Sequence, residues 1–246
     1  MAQVIVNCTE LRVQCQHLWH RQLAMIRSAH HRHARLKVQI QRIYQRYQSV
    51  LADRPVLDDR ATSIYGDYYK SFVLLSVQME MVFAFIAKEH DYHKTPQQPS
   101  RWRHETWEDL FDDLEDNEKD LRRWIDQQEQ SRFLEVIKLC DSIERLQRFS
   151  PPDPLDQDLE PVYKGLKQLF QATTETGKSL RQLLRRRAII PIPLTPGERP
   201  PIAYTRIVAR DDHGNGDEFV IGQIVETGYF WKDRVLRKAA VTVISK

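Results

Sequence analysis

Apolar positions recur along the first fifty residues with a seven-residue period. Cys8, Cys15, Gln22, Ala29, Leu36, Ile43 and Val50 form one stripe. Leu11, Leu18 and Met25 form its companion in the first half, and Ile40 and Tyr47 in the second. Such a pattern predicts one long helix with a coiled-coil-like seam, running to about Ala52, with polar lapses at Gln22 and His33. A second helical block, Ala61 to His93, is aromatic and apolar nearly all round (Tyr65, Tyr68, Tyr69, Phe72, Phe83, Phe85). A helix of that kind has to be buried by others or by a partner. A third block begins near Ser100, with Trp107, Leu110, Leu114, Leu121 and Trp124 at heptad-like spacing, and broadens through Phe133, Val136, Ile137, Cys140, Ile143 and Leu146. A fourth spans about Leu159 to Arg187 on the stripe Val162, Leu166, Leu169, Phe170, Leu180, Leu183 and Leu184. Arg181, Arg185, Arg186 and Arg187 suit the C-terminal end of its dipole. Prolines separate the blocks, at Pro55, at Pro96 and Pro99, and at Pro151, Pro152 and Pro154.

The period then changes. Five prolines between 191 and 203 end any helix. Tyr204 to Ala209 and Phe219 to Glu226 read as strands around a turn at His213–Asp217, and Gly228 marks another turn. Arg234–Leu236 and Ala240–Ile244 supply the last strand pieces. There Val241 and Val243 alternate with Thr242 and Ser245, as in a small sheet with one buried face. A sheet of that size should lean on the helices. The fold class is α+β: long helices forming a dimeric coiled coil or bundle, then a small all-β domain. The expected division is a helical extension over 1–96, a helical dimerisation region over 101–188 and a β-domain over 191–246.

Composition narrows the class. Charged residues make up 29% of the chain and hydrophobic ones 41%, which suits a soluble helical protein rather than a disordered one. Charge is unevenly placed. Residues 1–52 carry eight Arg and Lys against one acid, Glu10, whereas 105–120 carry nine acids against one lysine. The two segments can attract each other or recruit separate partners. Scattered cations on the first helix make nucleic-acid binding an unfavoured alternative. Three cysteines without a C-x-x-C pattern argue against a zinc site or disulfide framework. The pairs His17/His20, His30/His33 and His90/His93 lack further ligands, so no metal and no cofactor are expected. No Walker A, dinucleotide, nucleophile-elbow or H-E-x-x-H motif points to an enzyme. Phe72–Ala87, interrupted by Ser76, Gln78 and Glu80, reads as too short and polar for a membrane span, and no signal-peptide core is seen. The cytoplasm is the expected location.

The segment Gly222-Gln223-Ile224-Val225-Glu226-Thr227-Gly228-Tyr229, followed by Arg234-Val235-Leu236-Arg237 and Ala239-Ala240-Val241-Thr242-Val243, resembles the C-terminal signature of the GrpE family. That signature runs from a glycine-led strand through a Gly-Tyr turn and an Arg-aliphatic-aliphatic-Arg group to an Ala-x-Val-x-Val strand. Phe133–Leu146, with Asp141, Glu144 and Arg145, is similar to the family's preceding helix, and Gly165–Phe170 to the next. The resemblance covers about 133–246. The family's Asn-aromatic-Arg-Arg segment is not recognisable, and residues 1–100 have no identified counterpart.

The resemblance implies a homodimeric nucleotide exchange factor. Two helices per subunit would form a four-helix bundle, and the β-domain would wedge into the nucleotide-binding domain of a DnaK-type chaperone to release ADP. Arg234 and Val243 match family positions that touch the chaperone. Arg237 and Tyr229 join them as candidate contacts, Tyr229 also suiting the small β-core. Phe230 and Trp231 suit either an exposed anchor or that core. Gly222 and Gly228 are expected to meet backbone requirements of turns. A GrpE-fold scaffold or adaptor without exchange activity is the alternative.

Overall fold

The computed structural model describes residues 2–53, 55–88, 106–154, 156–211 and 218–245, with side chains from residue 9 onward. The Thr95–Pro99 linker, the His90/His93 pair and the His213–Asp217 turn lie outside the described residues. Four α-helices come first: α1 (Ala2–Ala52), α2 (Asp59–Ala87), α3 (Trp107–Gln147) and α4 (Glu160–Arg186). Six strands follow: β1 (Ile189–Pro191), β2 (Thr205–Asp211), β3 (Phe219–Glu226), β4 (Tyr229–Trp231), β5 (Arg234–Arg237) and β6 (Ala239–Ser245).

Local chemistry sets the helix ends. Asp58 caps α2, its carboxylate accepting the Ala61 amide at 2.7 Å. Thr106 caps α3: its hydroxyl accepts the Asp109 amide at 3.1 Å and donates to the Asp109 carboxylate at 2.8 Å. Pro161 sits in the first turn of α4, where its missing N–H costs nothing. That helix stops at Ala188, which takes a left-handed φ of 57° and turns the chain into β1.

Contacts gather into two units, 1–39 with 84–132, and 40–83 with 133–246. In the first, α1 and α3 run parallel. Arg21 pairs with Glu118 and Arg32 with Glu129, both 97 residues apart in sequence. Cys15 and Leu18 pack with Leu110 and Leu114, and Ile26 and Ala29 with Ile125. Gln22, fully buried, donates from Nε2 to the Leu114 carbonyl at 2.7 Å. The two polar lapses thus face inward, since Gln22 and His33 are both buried. The coiled-coil-like seam of α1 is formed here with another helix of the same chain. The basic and acidic segments meet across it.

In the second unit the end of α1, most of α2, the end of α3 and α4 form a four-helix bundle. Tyr47 donates to the Phe72 carbonyl at 3.2 Å, and Tyr44 stacks on Phe83 with centroids 5.9 Å apart. Burial pushes the Tyr47 phenol up to about 12, a hydrogen bond with Thr173 opposing. A Cβ at Gly177 would lie 2.8 Å from Ile143, so α3 and α4 approach closely there. Arg181 bonds Glu144 across the same helices at 3.0 Å. The α4 stripe continues through Thr173, Thr176 and Gly177, small and polar residues that hydropathy alone passes over.

α2 buries one face, with Ala61, Tyr65, Phe72, Leu75, Met79 and Val82, but leaves Leu74 (63%) and Met81 (66%) exposed. By length and composition it is, among the described residues, long and apolar enough to cross a membrane. The same length and composition are met by core helices, and α2 buries one face against the bundle.

The β-domain holds two three-stranded sheets, ordered β1-β4-β5 and β2-β6-β3. The first is antiparallel; in the second β2 runs parallel to β6 and β3 antiparallel to it. Ile221, Ala239, Val241 and Val243 form the core of the second, with Leu194, Phe219 and Ile224 against them. The closing strand pieces therefore belong to different sheets, divided at Lys238. Outward positions on β6 are Thr242 and Ile244, not Thr242 and Ser245: side chains alternate with period two, so Ser245 shares the phase of Val241 and Val243.

Candidate chaperone-facing site

The β-domain is fixed to the helices through three groups. Trp231 on β4 meets Phe133 on α3 edge-to-face, with centroids 5.4 Å apart. β1 follows α4 directly and pairs with β4, Ile189 opposite Trp231. Arg237 on β5 forms a forked ion pair with Asp141 on α3, one arm at 3.0 Å. The Arg237 Nε also donates to the Thr227 carbonyl at 3.1 Å, and the guanidinium lies 5.6 Å over the Tyr229 ring. Burial works against the charge on Arg237, but the hydrogen bond and charge of Asp141 outweigh it and hold its pKa above the ordinary value.

Arg237 is thereby committed inside the molecule. Tyr229 is 4% exposed, and burial pushes its phenol well above the ordinary value. Val243 has no exposed surface at all and sits between Arg210 of β2 and Ile221 of β3 in the sheet. A side chain without surface offers none to a partner. Of the residues expected to make contacts, Val243 lies within the sheet, Tyr229 fills the β-core, and partly exposed Arg237 ties β5 to α3. Trp231 is buried as well, and half-buried Phe230 packs edge-to-face on Tyr204 at 5.2 Å.

Arg234 differs from these. It opens β5 directly after the two-residue hairpin Lys232–Asp233, whose φ values are 50° and 61°. Both central residues at positive φ give the turn that suits the twist of paired strands. Arg234 is exposed at this tip and, among the described residues, has no ion-pair partner. The Lys232 ammonium covers the Trp231 ring at 4.3 Å.

The glycines separate into two roles. Gly228 joins β3 to β4 against the backbone of β6: an added Cβ would lie 2.5 Å from the Ala239 nitrogen. Gly222 lies within β3 rather than in a turn, where the register with β6 shifts between Ile221 and Gln223. A Cβ there would meet Ile244 at 3.0 Å. Sequence reasoning missed the exposed apolar residues Ile202 (83%), Ile207, Val208 and Ile244. Correct phasing of β6 would have found Ile244; nothing in the sequence marks Ile202.

Among the described residues no three His, Cys, Asp or Glu side chains gather as a metal site. The domain presents a charged hairpin tip and apolar strand positions, which suits binding to a protein surface. The GrpE family model matches residues 106–245, starting at the N-terminal cap of α3 and including the whole β-domain. No curated protein and no solved structure matches the chain.

Proposed function

The chain belongs to the GrpE family, and on that premise we propose that it is a nucleotide exchange factor that speeds ADP release from a DnaK-type chaperone. Its β-domain seats in the chaperone's nucleotide-binding domain and favours the open cleft. ADP binds that form less well, so the two ligands oppose each other through one conformational equilibrium. No chemistry is performed on the nucleotide, and no cofactor is involved. The observation that carries this reading is the geometry of support and tip: β5 is held to α3 by Arg237 and Asp141, while Arg234 at its other end is exposed. An exposed arginine beside a hairpin can take a partner carboxylate in a forked pair. The cytoplasm fits this role. Two of the cations on α1 are already paired with α3, which reduces the case for nucleic acid.

The test is release of a fluorescent ADP analogue from a DnaK-type chaperone, with and without the full chain. Acceleration is the expected result. Binding to the chaperone with no acceleration favours a scaffold or adaptor instead, a reading supported by the burial of Tyr229 and Val243, two of the four expected contact residues. Arg234→Ala should weaken the acceleration several-fold; an unchanged rate rules out the contact.

A further inference from the structure

We infer that the groove between α2 and the end of α3 binds a long-chain carboxylate, its tail lying against apolar side chains and its head at Arg145. The groove measures about 680 Å³ and lies wholly within the second unit. That size falls in the range of small-molecule sites, about 300–1,000 Å³. Buried Phe72 and Leu75 form its floor. Leu74 and Phe149 also line it, yet they are 63% and 66% exposed. Large apolar side chains left open beside a cavity mark a surface that an apolar ligand can cover. The groove between α1 and α4, of about 560 Å³, has a different lining: Arg46, Asp53, Gln168, Gln171 and Glu175 give it both signs of charge and amides, which suit water.

The charges around the α2–α3 groove select the head group. The Asp67 carboxylate is held by Lys70 at 3.4 Å. The Ser71 and Ser142 hydroxyls donate to the Asp67 and Lys138 carbonyls. Gln78 is neutral. Arg145 gives one N–H to the Ser142 Oγ at 3.3 Å and, among the described residues, meets no carboxylate. A guanidinium carries five N–H donors in a planar fork, which fits a carboxylate through two parallel hydrogen bonds. One uncompensated cation beside an apolar trough matches one negative head on an apolar body.

The shape suits an extended tail. Along α2 the lining runs from Asp67 to Gln78, about 16 Å at the helical rise per residue. Val77 and Met81 carry exposed apolar surface on to the next turn, so a longer tail gains further cover.

The experiment titrates the full chain with dansylaminoundecanoic acid, kept below its micellar concentration, and follows the dansyl fluorescence. A saturable rise is expected. Laurate should reverse it about tenfold more effectively than lauryl alcohol, because only the acid makes a charged hydrogen-bonded pair with Arg145. Arg145→Gln should abolish that preference. Leu74→Glu, which sets a negative charge on an exposed wall, should weaken laurate several-fold. Both positions are exposed, so the circular dichroism of both variants should match that of the parent chain. Absence of a saturable rise would overturn the inference. Binding that both variants leave unchanged would overturn it too, because the probe would then sit elsewhere. Equal displacement by laurate and lauryl alcohol would remove the carboxylate and overturn it as well. Co-flotation of the chain with phosphatidylcholine–phosphatidylglycerol vesicles, without saturable probe binding and lost with Leu74→Glu, would make this face a membrane contact instead.

Discussion

Single atoms set limits at several positions. Gly228 has no room for a methyl group: its Cβ would stand 2.5 Å from a backbone nitrogen of β6 and 2.7 Å from Ile192. Gly228→Ala should therefore cost about 2–4 kcal/mol by the overpacking and strain it forces, read from a urea unfolding curve. Gly222→Ala meets a flexible Ile244 side chain at 3.0 Å and Thr242 only at ordinary contact distance, and should cost much less. At the hairpin tip the sign reverses. Asp233 sits at φ 61°, where glycine has no steric penalty, so Asp233→Gly should stabilise by about 0.5–1 kcal/mol. A lower melting temperature for that variant would contradict the turn assignment. Cys140 offers a pH readout. Desolvation pushes its thiol up to about 12 from an ordinary 9.0. Between those values the unfolded chain loses a proton that the folded chain keeps, so this contribution is complete below pH 9 and is lost as pH rises towards 12. At pH 9.5, iodoacetamide should label Cys140 quickly in urea and slowly in the folded protein; equal rates would show that the site is open.

The helices were legible because long periodic segments repeat their message. The stripe through Cys15, Gln22, Ala29 and Leu36 has the right phase, and all four are buried. Its companion drifted: Met25 is only partly buried while Ile26 takes the core position, since a helix of 3.6 residues per turn slips against a seven-residue repeat. What the stripe could not reveal was its partner. Apolar periodicity is the same for a helix that pairs with a second copy and for one that pairs with a later helix. The charge imbalance between 1–52 and 105–120 carried that information instead. Strands were legible only when long. β1 and β4 have three residues each, too few for alternation to show, and both are recognised only through their pairing with each other. Charge across the α1–α3 seam can be tested by exchange. Glu118→Arg with Glu129→Arg should place like charges against Arg21 and Arg32 and cost about 1–2 kcal/mol at low salt. Adding Arg21→Glu and Arg32→Glu should recover most of the loss. Failure of the swap to recover stability would mean that the pairs do not set the register.

At the scale of the whole molecule, support and contact have to be told apart, because both can lower exchange activity. Asp141 lies on α3 and holds Arg237 of β5; the side chains are 15% and 17% exposed. Asp141→Ala would leave a half-buried guanidinium without its carboxylate, an arrangement that costs about 3 kcal/mol when fully buried and less with this much solvent. The β-domain would loosen from the helix, so amide exchange in β4 and β5 should speed up and the unfolding midpoint should fall. Any exchange activity should fall with them. Arg234→Ala touches neither ion pair nor core. It should leave the unfolding midpoint and amide protection of the β-domain unchanged while still weakening ADP release. Stability loss with Arg234→Ala would make Arg234 a support, and activity loss with Asp141→Ala at intact protection would make Asp141 a contact. The expected pattern is the opposite, because Asp141 and Arg237 are tied to each other in the joint, whereas Arg234 is the most exposed of the four candidates.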